Sequence, residues 1–398
     1  MSQTQTRIEQ IERELDKHES DLINLRRDIH AHPELAFEEV RTSDLVAREL
    51  EALGLEVHRG LATTGVVATI SGRPGKRAVG LRADMDALPM QELNDHLPYR
   101  STIPGKMHAC GHDGHVAMLL GAARYFANHR DFDGTIYLIF QPAEEGEGGA
   151  ERMVQEGLFK RFPMDAVFGM HNTPGMPVGQ FGVLPGPMMA SFDLLDITIT
   201  GTGGHAGFPQ NANDPIIAGA RLVDSLQSIV SRRVDPVNPA VLSITRFQGG
   251  TTHNVIPEQV QLSGTVRVFS PKTRDLVERE LKQICQGVAL AHGVTIEVDY
   301  QRRYPPTINS PQEAQWAKEA AAQLVGEDAV NVDVGPLMAA EDFAFMLEAC
   351  PGAYVWIGNG EGEQGGCMVH NPQYDFNDAI LTLGSRYWVQ LAQHVLAA

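Results

Sequence analysis

The stretch MHACGHDGHVAMLLGAARYFANHRDFDGTIYLIFQPAEEG, residues 107–146, decides the fold class of this chain. It opens with a turn rich in His, Cys and Asp, continues as an apolar helix over 113–129, and becomes an apolar strand that ends at an acidic pair. Helix-like and strand-like segments alternate on both sides of it. This alternation is typical of a sheet layered with helices. We therefore predict an α/β fold, with a mixed sheet flanked by helices.

The same alternation extends outward in both directions. Before the opening stretch, one helix is predicted to stop near Pro33 and a second near Gly54, because proline and glycine end helices. Further elements follow the periodicity of apolar residues: strands over 56–72, 78–90, 166–172 and 353–360, and helices over 148–159, 312–326, 339–352 and from about 378 onward.

Residues 189–304 follow a different order, strand-helix-strand-strand-helix-strand. That order is the ferredoxin-like unit, which can form a compact domain of its own. We therefore predict a discontinuous larger domain, residues 1–188 and 305–398, with a smaller domain, 189–304, inserted into it. A chain of 398 residues is long enough for two cores.

Composition narrows the possible partners and location. The chain has 32 basic and 50 acidic residues and a net charge of −18, which disfavours nucleic acid and anionic membranes as partners. It shows neither a signal-peptide pattern nor an apolar run long enough to span a bilayer. Its four cysteines do not form a disulfide framework. We expect a cytoplasmic globular protein.

Metal-capable side chains recur where strands end or helices begin. Cys110 and His112 flank a glycine in the opening turn, and Asp113 is positioned to cap the following helix. Three further positions supply a ligand type, namely the acidic pair Glu144 and Glu145 at the end of one strand, His171 at the end of another, and His370 beside an Asn-Pro turn. One thiolate with imidazoles and a carboxylate suits zinc, and also manganese, cobalt or nickel.

Structural roles for the same residues remain open at this level. Cys110 could be a small buried apolar residue, the Glu144-Glu145 pair could be solvated loop charge, and His108 and His115 could support the fold or the ligands. If Glu145 binds a metal, its neighbour Glu144 points elsewhere and can act as a general base. Hydrolysis is then the natural chemistry.

Eight motifs in one order carry a resemblance to a known family. They are LRRDIHAHPELAFEE, LRADMDALPM, MHACGHDGHVAMLLGAA, QPAEEGEGGA, GMHNTPGMPVG, GTGGHAGFPQNANDPI, THNVIP and HNPQYDF. Together they resemble the metal-dependent amidohydrolases of the aminoacylase/carboxypeptidase superfamily, in the branch of hippurate hydrolases and plant auxin-conjugate hydrolases. The similarity extends from about residue 21 to 390.

The resemblance implies a catalytic domain with an inserted ferredoxin-like lid and a centre of two divalent metal ions. Its implied ligands are Cys110, His112, Glu145, His171 and His370. Glu144 is implied as the base and Cys110 as the bridging ligand. Related exopeptidases carry a His-x-Asp motif where this chain has Asp84-Met85-Asp86. Because the His is missing here, Cys110 is the expected ligand in its place. Asp86 is expected to support the ligands, and the role of Asp84 stays undecided.

Motifs in the inserted domain carry implied substrate contacts. His205 resembles the lid histidine that polarises the scissile carbonyl, in its own or a neighbouring subunit, while Asn254 and Arg267 resemble residues that hold the substrate carboxylate. An arginine suits a carboxylate because its guanidinium is planar and bidentate. Gly358 is positioned to let the backbone approach substrate. A capping histidine, a strand salt bridge and a strand-end turn are the structural alternatives for His205, Arg267 and Gly358.

The expected activity is hydrolysis of N-acyl amino acids, hippurate-like or N-acetylated, to a carboxylic acid and a free amino acid. A dipeptidase and an N-acetyl-diaminopimelate-type deacetylase are alternatives on the same scaffold. A noncatalytic metal-binding protein and a thiol redox sensor using Cys110 are alternatives of other classes. The expected partners are a small-molecule substrate and further copies of the chain, since the family suggests a homodimer or homotetramer formed through the inserted domain.

Overall fold

The computed structural model describes residues 3–397. It divides into two compact units, of which the second comprises Pro187–Thr307 and Pro336–Glu341. The first unit runs up to Gly186 and also takes in Ile308–Gly335 and the chain from Asp342 onward. The short segment at 336–341 was not expected in the second unit. It belongs there because the Leu337 amide donates to the Met188 carbonyl at 2.9 Å.

The first unit contains one mixed sheet of eight strands. Its spatial order is β1-β2-β4-β3-β5-β16-β6-β15. The central strands β4, β3, β5 and β16 are parallel, whereas β1 and β2 run antiparallel to their neighbours. Strand β6 is antiparallel to β16 and parallel to β15. The strands are β1 Glu56–Leu61, β2 Gly65–Ser71, β3 Arg73–Asp84, β4 Asp133–Gln141, β5 Ala166–Pro174, β6 Phe181–Gly182, β15 Val330–Asn331 and β16 Gly352–Gly360.

Helices pack on this sheet and close its core. Helix α4 is apolar almost all round and nearly all of its side chains are buried, as expected for a helix inside a core. It packs against α2 and against the C-terminal helix α11, which also contacts α1 and α9. The helices of the unit are α1 Gln3–Asp16, α2 Glu19–Ala31, α3 Val40–Ala52, α4 His112–Asn128, α5 Gly149–Gln155, α6 Leu158–Arg161, α9 Pro311–Val325, α10 Ala344–Ala349 and α11 Leu381–Val395.

The second unit contains the predicted ferredoxin-like fold. Its four-stranded antiparallel sheet has the order β10-β12-β8-β13, so the second strand of the fold lies at one edge and the fourth at the other. Two amphipathic helices cover its apolar face. The elements are β8 Phe192–Thr200, α7 Pro215–Arg232, β10 Ala240–Gly249, β12 Gln259–Val268, α8 Pro271–His292 and β13 Thr295–Tyr304, with a two-stranded pair of β9 Gly204–His205 and β11 Val255–Ile256. Short strands β7 Gly186–Met189 and β14 Thr307–Asn309 lie where the chain enters and leaves this unit.

Five secondary-structure expectations were incomplete or wrong. The strand expected over 56–72 is a hairpin of β1 and β2, and the strand expected over 78–90 ends at Asp84. The helix expected over 339–352 is reduced to α10, and Asp342, whose carboxylate accepts buried hydrogen bonds from Arg82 and Gln141, lies just before its first residue. The helix over 148–159 breaks at Gly157, whose φ is 94°. Helix α1 was not predicted, and it is stabilised by burial of Ile11 and Leu15.

Within residues 3–397, each helix is either too short or too polar to cross a bilayer.

Candidate metal centre and active site

Local backbone geometry presents the candidate ligands of the first unit. Gly111 adopts a left-handed φ of 97°, and α4 begins at once with His112. After β4 ends, Ala143 takes a left-handed φ of 56° and turns the chain toward Glu144. His370 itself has a φ of 63°. Left-handed non-glycine residues are strained and cluster at functional sites.

Three overlapping clusters of potential ligand atoms lie close together. In each cluster the atoms are within 4.8 Å of one another, and the clusters are Cys110 with His112 and His171, Cys110 with Glu145 and His370, and His112 with Glu144 and Glu145. The structure thus brings all five predicted ligands together with Glu144. Cys110, His112 and Glu145 each belong to two of these three clusters.

Hydrogen bonds fix which ring nitrogen is free on two of the histidines. Nδ1 of His112 lies 2.9 Å from the carbonyl oxygen of Asp86, and Nδ1 of His171 lies 2.7 Å from that of Asn172. A carbonyl only accepts, so each Nδ1 carries the proton. When such a ring is neutral, its Nε2 presents a lone pair, as in metal-binding histidines.

These residues fit a metal centre on two observations. Nε2 of His112 is buried and makes no hydrogen bond within the described chain, which is costly unless a ligand satisfies it. Burial, together with the charges of Glu145 and Glu144, holds the pKa of the Cys110 thiol well above its usual value. A cation reverses this effect, because a coordinating thiol is deprotonated.

Asp86 links two ligand segments from behind. One of its carboxylate oxygens lies 3.2 Å from Nδ1 of His112, and the other accepts the backbone N–H of Glu145 at 2.9 Å. Asp84 lies 2.5 Å from Nδ1 of His115 and pairs with Arg82 at 2.7 Å. In this arrangement both aspartates support other residues.

Glu144 is buried and is positioned by the backbone. Its Oε1 accepts the N–H of Asp342 at 3.3 Å. The Asp342 carboxylate in turn accepts from Arg82 at 3.2 Å and from the Gln141 side chain at 2.8 Å. This chain of contacts fixes the position of the Glu144 carboxylate.

Glu39 stabilises the turn that precedes the acidic pair. Its fully buried carboxylate accepts the N–H of Ala143 at 2.8 Å and the hydroxyl of Thr64 at 2.7 Å. Burial raises the pKa of Glu39 to about 7, with a further contribution from the charge of Asp86. Sequence patterns could not predict this role, because Glu39 lies 104 residues from Ala143.

The raised pKa of Glu39 predicts a pH dependence of stability. Its carboxyl binds a proton more tightly in the folded than in the unfolded chain, so stability is expected to fall as pH rises from about 4.5 to 7. Glu39→Gln mimics the protonated form and should be more stable than the wild type above pH 7, by about 1–3 kcal/mol. Urea denaturation of the metal-free protein across pH measures this. Glu38→Gln, at the exposed neighbour, is the control and should keep the wild-type slope. An unchanged slope in Glu39→Gln would contradict the assignment.

The N-cap role expected for Asp113 is wrong. The residue before α4 is Gly111, and the Asp113 carboxylate instead lies 2.9 Å from Nδ1 of His30 and 3.4 Å from the Arg26 guanidinium. Burial alone would lower the pKa of His30, but its hydrogen bonds to Asp113 and Glu92 raise it to about 9. This buried charged network anchors α2 to the start of α4.

Other predicted positions differ in detail. His171 lies inside β5, opposite Trp356 of β16, and not at the strand end. Gly358 is needed for packing, because a Cβ there would lie 1.9 Å from the Pro177 carbonyl oxygen. Its contact with substrate stays a prediction. His108 is buried, and neither ring nitrogen has a hydrogen-bond partner among the described residues.

In the second unit, His205 and Asn254 lie side by side. His205 in β9 pairs with Val255 in β11, and the Ala206 amide donates to the Asn254 carbonyl. They line a surface cavity of about 410 Å³ with neighbouring residues of the two strands. Arg267 on β12 is half-buried and stacks over Phe192, with its guanidinium carbon 4.4 Å from the ring centre.

The fold and the ligand clusters define a metallohydrolase-like α/β protein, and sequence comparison identifies the family. The model of peptidase family M20/M25/M40 matches residues 80–394, and the chain belongs to this family.

Similar proteins share nearly the full length. The chain is 43% identical over 368 residues to hippurate hydrolase of Campylobacter jejuni, covering 92% of this chain and 94% of that protein. It is 42% identical to N-acetylcysteine deacetylase of Bacillus subtilis, with coverage of 94% and 97%. A crystal structure of the Bacillus subtilis YXEP protein, described as a dinuclear metal-binding peptidase of the M20 family, aligns with a TM-score of 0.84 at 38% identity, covering 96% of this chain and 99% of that one.

Proposed function

We propose that this protein hydrolyses the amide bond of N-acyl amino acids, releasing a carboxylic acid and a free amino acid. The observation that carries the proposal is a buried carboxylate, Glu144, next to a cluster of one thiol, three imidazoles and a second carboxylate. The similar proteins named for hippurate and N-acetylcysteine both act on N-acylated amino acids. Those names support the substrate class.

Two divalent cations, zinc, manganese, cobalt or nickel, would be held by the five predicted ligands. Cys110 would serve both ions, with His112 and His171 on one side and Glu145 and His370 on the other. When bound, such ions polarise a carbonyl and acidify water. The dinuclear description of the similar Bacillus subtilis structure supports this ion count.

Glu144 would act as general base and then as general acid. It accepts a proton from the attacking water and returns it to the nitrogen of the leaving amino acid. The N–H of Asp342 holds one oxygen of Glu144 and so orients the carboxylate for this role. His205 would donate to the amide oxygen of the substrate. Asn254 and Arg267 would bind its carboxylate, with Gly358 next to its backbone.

Two neighbouring activities use the same chemistry. Deacetylation of N-acetyl amino acids is favoured by the 42% identity to an N-acetylcysteine deacetylase, while a dipeptidase is the further alternative. A noncatalytic metal-binding protein has no use for a buried base such as Glu144 next to the ligands. The raised pKa of Cys110, caused by its burial, argues against a redox sensor, which needs a thiolate. Assembly as a homodimer or homotetramer through the second unit is also proposed.

A substrate panel tests the proposal. Chelator-treated protein, reloaded separately with zinc, manganese, cobalt or nickel, is incubated with benzoyl-, acetyl- and aminoacyl-amino acids, and free amino acid is measured. We expect no release from the stripped protein and restored release with at least one metal. The preferred acyl group then distinguishes the hippurate-like activity from the deacetylase and the dipeptidase. Unchanged release after stripping, or none with any metal, would contradict the proposal.

A further inference from the structure

Asn172 and Tyr374 form a buried hydrogen-bonded pair behind the ligand clusters. The Asn172 side-chain amide donates to the Tyr374 hydroxyl at 2.7 Å, and its carbonyl oxygen lies 2.8 Å from Nε2 of His115. All three side chains are at most 2% exposed. Neither Asn172 nor Tyr374 is needed as a ligand or as a base, so the pair calls for a different explanation.

We propose that this pair is a clamp whose two members are positioning residues for the metal ligands. The inference rests on the proposed function and concerns how the ligands are held in their positions relative to one another. Four of the five ligands come from three separate chain segments, and the clamp touches all three of them. Those ligands are Cys110 and His112 in the first segment, His171 in the second and His370 in the third.

The first segment is held by close contact. A Cβ placed on Gly111 would lie 2.2 Å from the side-chain oxygen of Asn172 and 2.7 Å from the Tyr374 hydroxyl. Asn172 and Tyr374 therefore form the surface on which the turn between Cys110 and His112 rests. A shift of either side chain changes the space available to that turn.

The second segment is held through the backbone. The backbone carbonyl of Asn172 accepts a hydrogen bond from Nδ1 of His171, which orients the ring so that Nε2 is the other ring nitrogen available. That Nε2 lies 3.3 Å from the Cys110 sulfur. Asn172 thus orients one ligand with its backbone while its side chain restrains the turn that carries two others.

The third segment is held by the tyrosine. Tyr374 follows His370 by one turn, in which the Tyr374 N–H donates to the Asn371 carbonyl at 2.9 Å. The Tyr374 carbonyl also accepts from the Asn94 side chain at 2.9 Å. Because the backbone of Tyr374 is fixed in this way, the hydrogen bond between its hydroxyl and Asn172 also restrains the loop that carries His370.

Loss of the hydroxyl leaves a buried amide donor of Asn172 without its partner, which favours rotation or displacement of that side chain. Groups that orient metal ligands typically change metal affinity by about 10–100-fold when they are removed. We expect Tyr374→Phe to lower metal affinity by that factor. A tyrosine that serves only the packing of the fold would not have this effect.

The experiment compares Tyr374→Phe with Tyr387→Phe. Tyr387 is equally buried, and its hydroxyl has no hydrogen-bond partner among the described residues, so it is a matched control for loss of a buried hydroxyl. Metal affinity is measured by competition with a chelator, and the cobalt-loaded proteins are compared by their thiolate-to-cobalt absorption band. We expect weaker binding and a shifted band for Tyr374→Phe only. Equal values in the two variants would overturn the clamp.

A second pair of variants keeps the test decisive if Tyr374→Phe folds poorly. Asn172→Ala removes the clamp, whereas Asn172→Asp can still accept a hydrogen bond from the Tyr374 hydroxyl. We expect Asn172→Asp to recover most of the affinity that Asn172→Ala loses, and equal losses would contradict the clamp. Wild-type protein that binds no metal would refute the proposed function itself. Wild-type protein that binds metal and hydrolyses substrate, with unaffected variants, would refute only the clamp.

Discussion

Replacing Glu144 by glutamine is expected to lower kcat by about 10²–10⁴-fold, the usual contribution of general acid-base catalysis. Glutamine keeps an oxygen that can accept the N–H of Asp342, so the side chain should stay in place. It cannot take up the proton of the attacking water. Metal content should be unchanged, because the five predicted ligands remain.

The matched control is Glu147→Gln, which changes an exposed acid in the same loop. Steady-state kinetics on the best N-acyl amino acid, with metal analysis of the same samples, measure both properties. Full activity in Glu144→Gln would refute its role as the base. Loss of metal together with activity would instead place Glu144 among the ligands, which its position in the cluster with His112 and Glu145 also allows geometrically.

Replacing Cys110 by alanine is expected to abolish binding of both ions and all activity. Cys110 belongs to two of the ligand clusters, so its removal leaves each of these two with only two of its three donors. The loss of a ligand other than Cys110, for example in His370→Ala, should weaken mainly one ion. The measurements are metal content after dialysis and the rate of amino acid release.

Cys350→Ala is the control for removal of a buried thiol from the same unit. Its sulfur lies 3.6 Å from the Met164 carbonyl oxygen, and Cys350 belongs to none of the ligand clusters in the described chain. It should keep both metal and activity. Retention of two ions per chain in Cys110→Ala would show that the thiolate does not bridge them.

The architecture could be predicted wherever local patterns carry it. In 192–304, short periodic segments bounded by turn residues predict the order of strands and helices. The observed order agrees with this prediction. Segment 336–341 could not be assigned, because it has no periodic pattern and joins the second unit through backbone contacts with residues near Met188. Helix α1 was missed because its polar residues outweigh the few apolar ones that pack on α11.

Within the site, ligand types could be predicted and their supports could not. Cys110 and His112 are visible in the sequence because metal-capable residues gather in one turn. The contacts of the Ala143 amide with Glu39, of Asn172 with Tyr374 and of Asp342 with Glu144 span 104, 202 and 198 residues. No local periodicity encodes such distances. Of these supporting residues, Asn172 was the easiest to suspect from the sequence, because it directly follows the predicted ligand His171.

The interleaved strand order of the first unit has a consequence for how the chain is made. Strand β16 lies between β5 and β6 in the sheet, and α11 packs on α4, although both β16 and α11 follow the ferredoxin-like segment in the chain. During synthesis the ferredoxin-like segment emerges complete and can fold on the ribosome, since domains generally fold as units. The sheet of the first unit stays incomplete at that stage, because β15 and β16 have not yet been synthesised. The nascent protein therefore acquires His370, and with it a full ligand set, only after the ferredoxin-like segment has been made.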